Sequence, residues 1–149
     1  MTTTTDHAAE TLRALVSAVE RRPVLVGIDG QGGAGKSTFA RAVVGSLGAA
    51  VVVEGDDFYR YMDDYERAAL DPAAGVEQYF DWQRLRREVL EPVRRGDPTL
   101  RYQRYDWDNA TMGAWVEQPM PDVVVVEGVY TLRPQLADLV DVAVWVETS

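Results

Sequence analysis

One stretch of the chain carries residue types that bind phosphate, at the spacing that phosphate binding requires. Residues 30–37 read Gly-Gln-Gly-Gly-Ala-Gly-Lys-Ser and fit the pattern G-x-x-x-x-G-K-S/T at every fixed position. Glycines let backbone N–H groups turn toward phosphate oxygens, and the N-terminus of a following helix adds positive charge. Lys36 is the only lysine of the chain. We therefore predict a nucleoside triphosphate site formed by Gly30, Gln31, Gly32, Gly33, Ala34, Gly35, Lys36, Ser37 and Thr38.

Acidic residues follow two apolar runs of strand length. Glu127 comes directly after Val123–Val126, and Asp56 and Asp57 lie shortly after the run 50–53. A carboxylate after a neighbouring strand can hold Mg²⁺ together with the Ser37 hydroxyl of the phosphate loop, so we predict Ser37 and Glu127 as metal ligands. A carboxylate of the second cluster can accept the proton of an attacking hydroxyl. Gly55 lets the chain turn before the pair, so spacing alone leaves the choice between Asp56 and Asp57 open.

The elements around these residues follow an α/β pattern. Continuous apolar runs predict four buried strands, at 24–28, 50–53, 122–126 and 141–146. Apolar spacing predicts helices at 8–21, 36–47, 82–95 and 134–139, with Gly48 as the C-cap of the second and Pro92 weakening the end of the third. Residues 99–106 and 115–117 predict a hairpin. We expect a mostly parallel sheet with helices on both faces and ligands beyond the carboxyl ends of its strands.

Two apolar faces follow from the helical spacing. In the first helix the expected core residues are Leu12, Leu15, Val16 and Val19, and in the third they are Leu85, Val89, Leu90 and Val93.

Composition excludes several other classes of protein. The chain has 149 residues, 46% of them apolar, with no cysteine, one histidine and a formal charge of −9. Cysteine chemistry and multi-histidine metal sites are therefore excluded, and so acidic a chain is not expected to bind nucleic acid. No apolar run approaches the roughly 20 residues of a membrane span, and the N-terminus is not that of a secretory signal. We expect one cytoplasmic domain, residues 1–149, that has no membrane partner.

Several further motifs resemble the uridine kinase and phosphoribulokinase family of P-loop kinases. Besides the phosphate loop, the matching stretches are Asp-Asp-Phe-Tyr at 56–59, Tyr-Phe-Asp-Trp at 79–82, Tyr-Asp-Trp at 105–107 and Val-Glu-Gly-Val-Tyr-Thr-Leu-Arg-Pro at 126–134. The resemblance implies the three-layer α/β/α P-loop fold, with a core at 24–146 and an acceptor-binding insertion at about 56–120. It implies phosphoryl transfer from ATP, with Mg²⁺, to a hydroxyl of a small, nucleoside-like molecule.

The resemblance also assigns roles to residues. It implies that Asp56 is the general base, that Lys36 acts beside it in catalysis, and that Glu127 belongs to the magnesium site. The acceptor pocket implied by the family motifs comprises Tyr59, Asp81, Tyr105, Asp106 and Trp107.

Two departures from the family pattern leave alternatives open. The histidine that uridine kinases carry a few residues beyond the Tyr-Asp motif is absent from residues 108–112. The sequence stops at Ser149, shortly after the fourth predicted strand, so we expect a fragment or a shortened relative that lacks the arginine-bearing lid. One alternative is a nucleotide-binding module without kinase activity. Another is a nucleoside monophosphate kinase that would bind acceptor phosphate through Arg60, Arg101 or Arg104.

Overall fold

The structure is a computed structural model that describes residues 4–31, 33, 35–60, 62–69 and 79–147. Gly32 and Ala34, both predicted to bind nucleotide, lie outside the described residues. Within these ranges, no helix combines the length and the apolar character needed to cross a membrane.

A four-stranded parallel sheet forms the centre of the fold. Its strands are β1 (Val24–Gly30), β2 (Ala50–Glu54), β5 (Val123–Glu127) and β6 (Val142–Val146), in the spatial order β2-β5-β1-β6. The two central strands, β1 and β5, are buried along their whole length. All four predicted strands are confirmed, because each apolar run is covered on both faces or lies at an edge of this sheet.

Helices cover both faces of the sheet, which confirms the predicted three-layer α/β/α class. On one face, α1 (Thr4–Ala18) and α2 (Lys36–Val44) pack through Leu12 and Val43. On the other face lie α4 (Trp82–Leu85), a π-helical turn (Arg86–Leu90), α5 (Glu91–Arg95) and α6 (Pro134–Ala137). A short α3 (Asp64–Ala68) precedes them along the chain.

A separate antiparallel hairpin lies outside the parallel sheet. Its strands are β3 (Thr99–Asp106) and β4 (Thr111–Pro119), and their register shifts between Gln103 and Tyr105. The predicted hairpin is confirmed, although β4 is longer than expected. The side chains of β4 are half-exposed or exposed, so the alternation of apolar and polar residues that marks a strand is weak in this part of the sequence.

Three local expectations are corrected. Helix α2 ends at Val44, with Gly45 as its C-cap, so Gly48 does not cap it. Leu15, predicted to be a core residue, is 50% exposed because the covered face of α1 is narrower than the apolar stripe. Pro92 does not weaken the helical segment, because the π-helical turn before it, in which the Glu91 N–H donates to the Arg86 carbonyl, accommodates the ring and its missing N–H.

A buried carboxylate ties the start of β6 to β1 and α5. The side chain of Asp141 is 3% exposed, and it accepts hydrogen bonds from the Leu25 N–H (2.8 Å), Arg21 Nε (2.7 Å) and Arg94 Nη2 (3.0 Å). Burial alone would raise the pKa of Asp141, but the three donors outweigh it and hold the pKa below its usual value.

We predict that Asp141→Asn lowers the free energy of unfolding by about 2 kcal/mol at neutral pH, because hydrogen bonds to a charged group are lost from a buried position. Since the folded-state pKa is depressed, this stability is present above the unfolded pKa and is lost as pH falls through the folded value. Denaturant titrations between neutral pH and pH 3 should therefore show that the free energy of unfolding decreases less with acid in the variant than in the unaltered protein.

The matched control is Asp138→Asn. Its carboxylate pairs with Arg86 on the surface and is 59% exposed, so we expect a much smaller effect. Equal losses in the two variants would contradict the role given to Asp141.

Candidate functional site

The phosphate loop connects the carboxyl end of β1 to the first turn of α2. Gly33 and Gly35 have φ angles of +81° and +88°, a left-handed conformation that favours glycine. At Gly30 the neighbouring strand comes close, because an added Cβ would lie 2.4 Å from the Val146 carbonyl oxygen. Gly33 and Gly35 are therefore required by backbone conformation, and Gly30 by a close approach.

Lys36 begins α2 and is 7% exposed. Its Nζ donates to the Gln31 carbonyl across the loop, at 2.7 Å, so the ammonium lies inside the turn that the loop makes. Ser37 and Thr38 follow in the same helical turn and are exposed. Together these residues present an ammonium, hydroxyls and the N-terminus of a nine-residue helix on one side of the loop.

Glu127 ends β5 directly beside this helix start. Its side chain is buried, and its Oε1 accepts a hydrogen bond from Ser37 Oγ at 3.1 Å. Burial raises the pKa of Glu127, and the carboxylates of Asp56 and Glu54 raise it further, while the Ser37 hydrogen bond and the Lys36 ammonium oppose the rise. A divalent cation at this position would relieve the repulsion among the carboxylates.

The second acidic cluster forms a 3₁₀ turn, Gly55–Phe58, directly after β2. Asp57 is 5% exposed, and its Oδ1 accepts a hydrogen bond from Arg104 Nε of β3 at 3.0 Å. Asp56 is exposed, and within the described part of the chain no donor is bonded to its carboxylate. Partial burial raises the pKa of Asp56, Glu54 adds to the rise, and Lys36 opposes it. The two carboxylates therefore differ in accessibility, a difference that spacing does not reveal.

Three aromatic side chains predicted for the acceptor pocket come together next to this turn. The ring centroids of Tyr59 and Trp107 are 4.7 Å apart, and those of Tyr105 and Trp107 are 5.0 Å apart. The indole Nε1 of Trp107 donates to the backbone carbonyl of Asp56 at 3.0 Å. Burial, followed by the charge of Asp56, raises the pKa of Tyr59 to about 12, so its hydroxyl stays protonated. A cleft of about 310 Å³ opens here, lined by Tyr59, Arg60, Tyr79, Tyr105, Trp107 and Ala110.

The two acidic residues predicted for the same pocket are engaged with backbone groups. Asp81 is the N-cap of α4, and its Oδ1 accepts the Arg84 N–H at 3.1 Å. Asp106 accepts the N–H groups of Asp108 (3.0 Å) and Asn109 (3.2 Å), and so closes the turn of the hairpin. Asp106 thus holds the turn that carries Trp107, whereas Asp81 holds the start of α4. The part of either carboxylate in binding an acceptor stays a prediction.

Asp29 is a residue that the sequence analysis missed. Its buried carboxylate accepts three backbone N–H groups, from Gly30 (2.6 Å), Tyr130 (3.1 Å) and Leu132 (2.9 Å). It thereby joins the first residue of the phosphate loop to the segment that follows Glu127, where Tyr130 has a φ of +69°. The available signal was an acidic residue inside an otherwise apolar buried strand.

Known proteins resemble this chain in sequence. A sequence model of the Phosphoribulokinase / Uridine kinase family matches residues 25–149. A uridine kinase of Lactiplantibacillus plantarum is 30% identical over 143 residues, which cover 87% of this chain and 63% of that protein. A uridine kinase of Alkaliphilus metalliredigens is 30% identical over 136 residues, or 86% of this chain and 63% of its own length. The chain therefore spans under two thirds of the length of these relatives.

Solved structures share the fold. A possible uridine kinase from Bacillus stearothermophilus superposes with a TM-score of 0.81 at 19% identity, over 96% of this chain and 81% of that one. A D-glycerate 3-kinase from Cryptococcus neoformans superposes with a TM-score of 0.62 at 17% identity, over 88% and 53% of the two chains. These structures show the shared fold, and the sequence match over residues 25–149 shows that the chain belongs to the phosphoribulokinase and uridine kinase family.

Proposed function

We propose that this chain carries the catalytic centre of a kinase that transfers the γ-phosphoryl group of ATP, with Mg²⁺, to a hydroxyl of a nucleoside-like small molecule. The observation that carries the proposal is that the phosphate loop, Glu127 and the turn with Asp56 follow three neighbouring parallel strands at the same edge of the sheet. Donor phosphates, metal and acceptor hydroxyl would then meet at one place.

The residues at this edge fit a magnesium ion. Two oxygen ligands at about 2.1 Å from Mg²⁺, in adjacent octahedral positions, are separated by about 3.0 Å. Ser37 Oγ and Glu127 Oε1 are 3.1 Å apart, which matches that separation. Both atoms are of the hard oxygen type that Mg²⁺ prefers, and triphosphate oxygens and water would complete the shell. When bound, the ion would neutralise charge on the transferred phosphoryl group.

The other residues have distinct tasks in this proposal. Lys36 holds the β- and γ-phosphates against the loop. Asp56 orients the acceptor hydroxyl and takes its proton at a carboxylate oxygen, because Asp57 is already paired with Arg104. The raised pKa helps Asp56, since it makes the carboxylate a stronger base than one with the usual pKa.

The acceptor is proposed to occupy the cleft of about 310 Å³ next to Asp56. Aromatic rings there can pack against a planar base or the apolar face of a sugar. Two of the three arginines considered for an acceptor phosphate are already paired, Arg104 with Asp57 and Arg101 with Glu117. This pairing favours an acceptor without a phosphate group over a nucleoside monophosphate. The named function of the two relatives described above supports the nucleoside-like class.

The proposal is tested by acceptor-dependent formation of ADP. The 149-residue chain would be assayed with Mg-ATP and a panel of nucleosides, nucleoside monophosphates, pantothenate and ribulose 5-phosphate. We expect slow turnover with at least one nucleoside and none with the monophosphates. ATP binding with no turnover on any acceptor would instead identify a nucleotide-binding module without kinase activity.

Lys36→Met is predicted to weaken ATP binding and to lower turnover by at least about 100-fold, as the loss of a positioned charge does in other active sites. Isothermal titration with ATP and the ADP assay would measure both effects. Arg41→Met is the matched control, because Arg41 lies on the same helix and its ion pair with Glu54, at 3.5 Å, is in an exposed position. Similar ATP affinity for Lys36→Met and the control would refute this role of Lys36.

Glu127→Gln is predicted to raise the Mg²⁺ concentration at half-maximal activity at least about tenfold. The same variant should not destabilise the metal-free protein, because burial penalises the charged carboxylate in the folded state and Gln removes that charge. A Mg²⁺ titration at saturating ATP, together with thermal unfolding in EDTA, separates the two effects. An unchanged Mg²⁺ requirement would show that the metal is held elsewhere.

Asp56→Asn is predicted to lower kcat by about 10²–10⁴-fold while leaving ATP affinity intact, since the base does not touch the nucleotide before transfer. Asp57→Asn should lower kcat much less. In the unaltered protein, kcat should fall as pH drops through a pKa that lies above the usual value of about 3.9, because burial and Glu54 raise it. A larger loss in Asp57→Asn than in Asp56→Asn would reverse the assignment.

A further inference from the structure

A buried arginine outside the proposed mechanism contacts the turn that carries Asp56. The side chain of Arg84, in α4, is 6% exposed. Its Nη2 donates to the carbonyl oxygens of Asp57 (2.6 Å) and Tyr59 (3.2 Å), and its Nη1 donates to that of Gln103 (2.5 Å). The guanidinium also lies 4.5 Å from the ring centroid of Phe58. One side chain therefore binds the backbone on both sides of Phe58 and that of strand β3.

Two carboxylates compensate this buried charge. Glu88 Oε1 lies 3.5 Å from Arg84 Nη1, and Asp81 Oδ2 lies 3.8 Å from its Nε. Glu88 also accepts the Gln103 N–H at 2.8 Å, so it binds the strand that Arg84 binds. The resulting network joins α4, the π-helical turn, β3 and the turn after β2.

We propose that Arg84 is a positioning residue for the phosphoryl transfer: its contacts to Asp57, Tyr59 and Gln103 fix the Asp56 turn relative to the aromatic cleft. This inference rests on the proposed function, because the value of a fixed position depends on Asp56 acting as the base. The backbone of Asp56 is held from the other side by Trp107, whose indole N–H binds its carbonyl. The turn is thus anchored at the carbonyl of Asp56 itself and at those of Asp57 and Tyr59, with the Asp56 carboxylate left accessible.

The geometry requires an arginine. A guanidinium presents five N–H donors in a rigid plane, so it can bind three carbonyls that diverge from one point. A lysine ammonium has the same charge, but its donors are not held in a fixed plane. It could not bind all three carbonyls at once. Arg84→Lys therefore keeps the charge balance with Glu88 and Asp81 while it loosens the turn.

The test compares Arg84→Lys with Arg94→Lys. Arg94 is a partly buried arginine of the same helical segment that binds a carbonyl, Leu139, and a carboxylate, Asp141, far along the chain from the Asp56 turn. For Arg84→Lys we expect kcat to fall about 10–100-fold, the scale of a misplacement near 1 Å, with ATP affinity changed less than twofold. For Arg94→Lys we expect kcat within twofold of the unaltered protein. Equal losses of kcat in both variants, or a parallel fall in ATP affinity, would show that Arg84 has only a general structural role.

A spectroscopic measurement tests the positioning without relying on turnover. The four tryptophans would be replaced by 5-fluorotryptophan, and the ¹⁹F resonance of Trp107 assigned with Trp107→Phe. We expect this resonance to shift or broaden in Arg84→Lys and to stay unchanged in Arg94→Lys. An unchanged Trp107 signal in a folded Arg84→Lys would overturn the inference. Absence of turnover in the unaltered protein would instead overturn the proposed function and leave this measurement valid.

If Arg84→Lys does not fold, Glu88→Gln replaces it. Glutamine keeps an acceptor for the Gln103 N–H but removes the negative charge beside Arg84. We expect a several-fold fall in kcat, unchanged ATP affinity and a perturbed Trp107 resonance. Unchanged kcat together with an unchanged resonance would count against Arg84 as the residue that positions the turn.

Discussion

The parallel register across β2, β5 and β1 is the constraint on which the rest of the site depends. Ile28 of β1 is aligned with Glu127 of β5, and Glu127 is aligned with Glu54 of β2. Because the strands are parallel, their carboxyl ends lie at one edge, and the three loops that follow them must meet there. A slip of one residue would turn the Glu127 carboxylate away from Ser37 Oγ, to which it is hydrogen-bonded at 3.1 Å.

Charge and accessibility distinguish acidic residues that look equivalent in the sequence. After burial, the charge of Glu54 raises the pKa of Asp56, the charges of Asp56 and Glu54 raise the pKa of Glu127, and the Lys36 ammonium opposes both shifts. Asp57, one residue from Asp56, is turned inward and neutralised by Arg104. The unbalanced negative charge is thus confined to the side chains nearest the phosphate loop, where a triphosphate with its cation would reside.

Local patterns predicted most of this arrangement, and the misses have a common cause. Continuous apolar runs and the glycine-lysine motif identified β1, α2 and β5, because these depend on neighbouring residues alone. Gly48 was misjudged because a cap depends on where the helix stops packing, and Leu15 because an apolar stripe can exceed the face that is covered. The sequence did not reveal Asp29 and Arg84, because Tyr130 lies 101 residues from Asp29 and Asp57 lies 27 residues from Arg84, and these partners meet only in the folded chain.

The parallel sheet and the hairpin differ in burial, and this difference affects how the sequence can diverge during evolution. The parallel sheet is buried on both faces at its centre, so nearly every substitution there disturbs packing. Strand β4 of the hairpin is half-exposed or exposed along its length, and replacements on it meet few neighbours. Heritable variation should therefore accumulate faster on β4 than in the central strands of the parallel sheet. The hairpin can then diverge among related proteins while the strands that position the phosphate loop stay the same.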